Sequence, residues 1–194
     1  MVSSEAGPFP DGKPRCGWCN PKNPAYVAYH DGEWGRLDRT DDAYLFEMLA
    51  LESFQAGLSW ECILNKRADF REAYDGFDWR KIAGYDAEKC AALAQDARLV
   101  RNRSKIAATV GNARVFESIR REFGGFHPYL CAFTHGRVFT ETGRATSPLS
   151  DALSADLRKR GMKYAGSVIV YSYLQAIGIV RSHDASCWLH ESET

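Results

Sequence analysis

Residues 45–54 read Leu-Phe-Glu-Met-Leu-Ala-Leu-Glu-Ser-Phe, a mostly apolar run with helical spacing, and such a run is most stable as a helix buried at the centre of a helical fold. Glu52 lies inside it. The positions three, four and seven earlier are Leu49, Met48 and Leu45, so on a helix this acid projects from the face those residues bury. Ala50, Leu51 and Phe54 are apolar as well, and rotating the helix does not bring the carboxylate to water. Ionised carboxylates are rarely buried without a cation or full hydrogen bonding. Glu52 is therefore half of a structural ion pair or a ligand group for something positive. No Lys or Arg lies near it on the same helix face, which favours the ligand reading.

The rest of the chain is also helical in pattern. Asp41 or Asp42 caps the first long helix, which runs to about Ala56 and stops at Gly57. Ser59 caps a second, expected through about Tyr74, and residues 78–83 form a short turn of helix. Asp86 opens another, with Cys90, Leu93, Ala94 and Ala97 at helical spacing. After a link over residues 98–103, Ser104 is expected to cap a long helix with Ile106, Val110, Ala113, Phe116 and Ile119 on one side, ended by Gly124-Gly125. Two helices joined by so short a link fold back on each other. Residues 126–145 give no clear element. Ser147-Pro148 opens a helix that Gly161 stops, with Leu149, Leu153 and Leu157 inward. Residues 164–178 read as a buried helix despite the strand-like Val168 to Tyr171. The expectation is an all-α chain forming a single unit over residues 15–190, after a poorly ordered Gly-, Pro- and Ser-rich tail over residues 1–14.

A formal net charge of zero, from 25 basic and 25 acidic side chains, excludes indiscriminate coating of polyanions and leaves room for a local basic face. Arg98, Arg101, Arg103, Lys105 and Arg114 form one basic group, and Arg158, Lys159, Arg160 and Lys163 another. No apolar run reaches the length of a membrane span and the N-terminus lacks an apolar signal core, so the reading is an intracellular protein without a membrane partner. The six cysteines suggest no disulfide framework at this length.

Two His and Cys clusters stand at opposite ends of the chain, Cys16, Cys19 and His30 near the start and His183, Cys187 and His190 near the end. His183 and Cys187 are one helical turn apart and reach a single ion. Cys16 with Cys19 or His30 then completes a tetrahedral zinc site. Four protein ligands leave no position for water, so this zinc is structural, which counts against a metallo-hydrolase. Between residues 15 and 40 the loop-rich chain carries Trp18, Tyr26, Tyr29 and Trp34, rings that line a site or cap a core. The helix pair over residues 86–123 is of the kind that offers backbone N–H groups and a helix N-terminus to a phosphate, with Arg101, Arg103 and Lys105 adding charge. The rings and Trp60 then suit a base rotated out of the duplex.

Arg15-Cys16-Gly17-Trp18, residues 26–35, residues 51–60, Lys105-Ile106 with Gly111-Asn112-Ala113, residues 157–161 and residues 171–176 resemble, in order, the blocks of the 3-methyladenine DNA glycosylase I family. The likeness runs from about Arg15 to Cys187. It implies a helix-hairpin-helix glycosylase fold whose termini are clipped by one zinc. It also implies an enzyme, acting as a monomer on double-stranded DNA containing alkylated bases, that hydrolyses the N-glycosidic bond of 3-methyladenine, releases the free base and leaves an abasic site. Carried over position by position, the ligands are Cys16, His30, His183 and Cys187, with Cys19 left free. The base-contacting acid is Glu52, the pocket rings are Trp18, Tyr26, Tyr29, Trp34 and Trp60, and the pocket hydroxyl is Ser172. Gly57 and Leu58 fall at the DNA wedge, and Arg101, Arg103, Ser104 and Lys105 at the hairpin's DNA contacts. Arg98 and Ser104 stand where hairpin glycines are usual, Ser53 replaces a glycine beside the acid, and Val168 stands where a hydroxyl is common. These departures leave two alternatives, a glycosylase of shifted base preference and a zinc-stabilised nucleic-acid or protein binding module without catalysis. Other helix-hairpin-helix glycosylases place a catalytic Asp after the hairpin. Here no Asp occurs between Asp96 and Asp151.

Overall fold

The computed structural model describes residues 9–190. Most of the expected N-terminal tail lies outside them. Of the part inside, residues 10–14 are exposed, while Phe9 is buried, with the Arg15 guanidinium 4.6 Å above its ring, and the Pro14 carbonyl accepts a 2.9 Å bond from Trp188 N–H.

The central apolar run forms α2 (Asp42–Gln55), in which every residue from Tyr44 to Phe54 is buried. Asp41 caps it, accepting from Tyr44 N–H at 2.9 Å, and the chain leaves through Gly57 at φ +82°. Around this hub lie α1 (Pro24–Gly32), α3 (Trp60–Asn65), α4 (Arg67–Ala73), α5 (Trp79–Ala83), α6 (Ala87–Gln95), α7 (Arg103–Phe123), α8 (Phe126–Thr134), α9 (Pro148–Lys159) and α10 (Ser167–Ala176). The fold is mostly helical rather than strictly all-α. Two-residue strands β1 (Phe139–Thr140) and β2 (Val180–Arg181) pair in parallel, Phe139 against Val180. Helix α2 packs on α3, α7, α8 and α10, so it joins the hairpin half of the molecule to the C-terminal half.

Three elements differ from the sequence reading. The helix expected from Ser59 to Tyr74 breaks at Lys66 (φ −101°, ψ 0°), where Arg67 turns inward to the buried Glu47 and half-buried Glu33 carboxylates and Lys66 Nζ reaches the Arg98 carbonyl at 2.7 Å. Helix α7 starts one residue before Ser104, and Asn102 is its cap, accepting from Lys105 N–H at 3.1 Å. Residues 126–134, left unassigned above, form α8. Its first N–H, on Phe126, is satisfied at 2.8 Å by the Asp42 carboxylate of α2, a partner remote in sequence.

The N-terminal loops sit on the end of α10. Gly35 N–H donates to the Gln175 carbonyl at 3.1 Å, and Gly178 passes so close to Arg36 and Leu37 that a Cβ there would overlap their backbone.

Candidate functional site

Helices α2 and α10 wall a pocket of about 240 Å³, each through side chains three residues apart: Glu52 and Gln55 from α2, Ser172 and Gln175 from α10. Helix α1 adds Tyr26 and Tyr29, α3 adds Trp60, and the flanking loops add Trp18 and Trp34. All seven positions expected from the sequence to meet a base therefore line one cavity. Gln55 and Gln175 were missed. Their signal was present, since each lies three residues beyond an expected pocket residue and so on the same helix face. The rings brace one another, Trp18 against Trp34 at 4.9 Å, Trp18 against Tyr26 at 5.2 Å and Tyr29 against Trp60 at 5.4 Å between centroids.

Glu52 is 3% exposed and its Oε2 has no hydrogen-bond partner among the described residues. Burial alone pushes its carboxyl up to about 8. Trp60 Nε1 is likewise buried without an acceptor. Such atoms are costly and scarce in native proteins, so a carboxylate and an N–H left unpaired in one pocket point to a ligand that pairs them. Ring faces with a buried acid favour a planar cation.

Behind the pocket, Cys16, His30, His183 and Cys187 converge, with their four donor atoms all within 4.8 Å of one another and all four residues buried. Cys16 Sγ is 3.4 Å from His183 Nδ1, and Cys187 Sγ is 3.5 Å from His30 Nε2. A tetrahedral zinc with ordinary Zn–S and Zn–N bonds sets such S–N edges at about 3.5 Å, so the residues fit the ion. Burial holds both imidazoles below their ordinary pKa, which keeps them neutral as ligands must be. His30 Nδ1 bonds Asp31 at 2.8 Å, and Arg15 in turn grips Asp31, an outer shell that fixes the ring. Cys19 stays outside the cluster, its Sγ on the Tyr26 carbonyl at 4.0 Å. The cluster and the pocket share walls, since Trp34 packs edge-on to His183 at 4.8 Å and Trp18 lies 5.2 Å from His30.

Residues 18–190 match the family model described as methyladenine glycosylase. The chain belongs to that family. The DNA-3-methyladenine glycosylase 1 of Escherichia coli (strain K12) is 42% identical over 180 residues, 89% of this chain and 95% of that protein. A crystal structure of 3-methyladenine DNA glycosylase I superposes with a TM-score of 0.86 at 38% identity, covering 92% of this chain and 100% of that one. The Staphylococcus aureus 3-methyladenine DNA glycosylase I, solved for the basis of 3-methyladenine recognition, gives 0.86 at 31% identity, covering 93% and 98%.

The residues expected to face DNA separate into two sets. Gly57 and Leu58 form a projecting turn, Leu58 being 41% exposed, and Arg101, Arg103 and Ser104 are exposed at the start of α7. Lys105 does not join them: it is 6% exposed, and its ammonium donates to the carbonyls of Phe54 and Ala56. Arg98, at a usual glycine position, is paired with Asp96 at 2.8 Å and Glu72 at 3.1 Å. Ser53 turns its hydroxyl to the carbonyls of Leu49 and Tyr164 rather than to the pocket, and Val168 is 54% exposed. No described helix is long and apolar enough to cross a membrane.

Proposed function

We propose that this chain is a monofunctional DNA repair glycosylase that hydrolyses the N-glycosidic bond of 3-methyladenine in alkylated double-stranded DNA, releasing the free base and leaving an abasic site. The observation that carries this reading is the unpaired, buried Glu52 carboxylate in an aromatic pocket. Adenine methylated at N3 is cationic while joined to the sugar, so its glycosidic bond is already weak and strong acid catalysis is unnecessary. The pocket's task is selection. Ring faces stack on the rotated-out base, and the Glu52 carboxylate accepts from its exocyclic amine, where guanine would present a carbonyl. Water attack on the sugar completes the hydrolysis. Neither Ser53 nor Val168 lines the pocket, which supports 3-methyladenine over a shifted base preference.

Helices α6 and α7 act in this proposal as the helix-hairpin-helix element, with Arg101 and Arg103 at phosphates and Leu58, on its Gly57 turn, filling the gap the base leaves. Cys16, His30, His183 and Cys187 hold one structural zinc. When bound, it supplies cross-linking of the termini and no reaction step. The protein works inside the cell as a monomer.

Incubation with methylated duplex DNA and chromatography of the released bases tests the activity: free 3-methyladenine supports it, a different base or none sinks it. Metal analysis of protein purified without chelator should give one zinc per chain, and Cys187→Ser should lower the melting temperature without altering base preference.

A further inference from the structure

The C-terminal turn of α2 and the N-terminal turn of α7 meet at a single amine. Lys105 Nζ donates to the carbonyls of Phe54 at 2.8 Å and Ala56 at 2.5 Å. The last carbonyls of a helix have no partner within it and form the negative end of its dipole. Helix α2 has no basic residue in its own last turn, and Lys105 supplies the positive charge from 51 residues away in sequence.

The contact is held from each side. On α7, the Lys105 backbone N–H is tied to the Asn102 cap, in the same turn as exposed Arg103 and just after exposed Arg101. On α2, the capped turn carries Glu52 and Gln55 on the pocket wall, and Leu58 N–H bonds the Gln55 carbonyl at 2.6 Å. Tyr164 closes the knot. Its hydroxyl donates to Ser104 Oγ at 2.9 Å, its carbonyl accepts from Ser53 at 3.3 Å, and its ring lies 5.9 Å from Lys105 Nζ.

We infer that Lys105 is a positioning residue, a clamp that sets the spacing between the phosphate-facing start of α7 and the end of α2 that carries Glu52, Gln55 and the Leu58 tip. The inference rests on the glycosylase reading and deepens it. With the backbone gripped at Arg101 and Arg103, a rotated-out base arrives squarely at Glu52 only when the two helix ends are in register, and a misplacement of about 1 Å costs on the order of a hundredfold in rate. A free base needs the pocket alone. Lys105 therefore acts on duplex substrate and leaves recognition of the free base untouched. Its N–H groups meet backbone carbonyls and it does not line the pocket, which sets its amine apart from a nucleophile.

Lys105→Met removes the charge and keeps the length. The measurements are base release from methylated duplex at saturating DNA, and affinity for free 3-methyladenine by quenching of pocket tryptophan fluorescence. The expected result is at least a roughly tenfold slower release with free-base affinity unchanged. Wild-type release, or equal loss of release and free-base affinity, overturns the clamp. If Lys105→Met does not fold, Lys105→Arg carries the same comparison, because a planar fork keeps the charge but cannot place one nitrogen on both carbonyls. Slower duplex release with unchanged free-base affinity supports the clamp in that variant, and any other pattern overturns it. A wild-type protein that releases no 3-methyladenine overturns the glycosylase reading together with the clamp, whereas a failure of the clamp alone leaves wild-type release intact.

Discussion

Glu47 and Glu52 are both buried acids on α2, at 6% and 3% exposure, and their surroundings are opposite. Glu47 meets Arg67 at 2.6 Å and Arg71 at 2.8 Å, and Arg67 also grips Glu33, so each buried charge in that group has a partner. Among the described residues, Glu52 has an unpaired oxygen, and its carboxyl is shifted by burial with no cation beside it. The same residue type on one helix thus stands in two settings, one holding α1's end, α2 and α4 together and the other, in the proposed function, keeping a place for a substrate's charge. What separates them is the partner, not the burial.

Breaking each acid in turn tests that division. Glu47→Gln leaves Arg71 without its carboxylate and Arg67 with Glu33 alone, and should cost about 3 kcal/mol of folding stability by urea titration, with little change in base release per folded molecule. Glu52→Gln should do the reverse. Base release should fall at least about tenfold, roughly 1.4 kcal/mol of transition-state stabilisation, with the fold intact; undiminished release would remove Glu52 from the mechanism. Its stability change has a definite sign. With a folded value of about 8 against an ordinary 4.5, Glu52 costs nothing below 4.5, and its penalty grows as pH rises through that window and levels off above about 8. Glu52→Gln should therefore gain stability over wild type at pH 8 and not at pH 4.5. The smallest effect concerns the substrate. A cationic base binds best to ionised Glu52, so kcat/KM should climb as pH approaches about 8, and Glu52→Gln should flatten that profile.

The sequence made the hub legible because its signals are local. Asp41, Gly57 and the apolar run delimit α2 within a residue or two, and residue type marks the rings and the two His and Cys clusters, whereas the choice of His30 over Cys19 came from the family resemblance. What escaped depends on contacts across the chain. Lys105 is indistinguishable in sequence from its exposed basic neighbours, and only the carbonyls of α2 turn it inward. Helix α8 carries Phe126, Tyr129, Leu130 and Phe133 at helical spacing, but Pro128 near its start and Asp42 at its first N–H hide the boundary. Arg67 breaks a helix that propensity alone would continue, because its carboxylates belong to α2 and to the end of α1.

The Cys16 to His183 contact spans 167 residues, and it also governs when the pocket exists during synthesis. Trp18 and Trp34 lean on His30 and His183, and Gly35 hangs from Gln175, so the aromatic wall of the pocket is completed only after His183 has left the ribosome. A chain that has folded α2 before His183 is made presents an acid without its full cage.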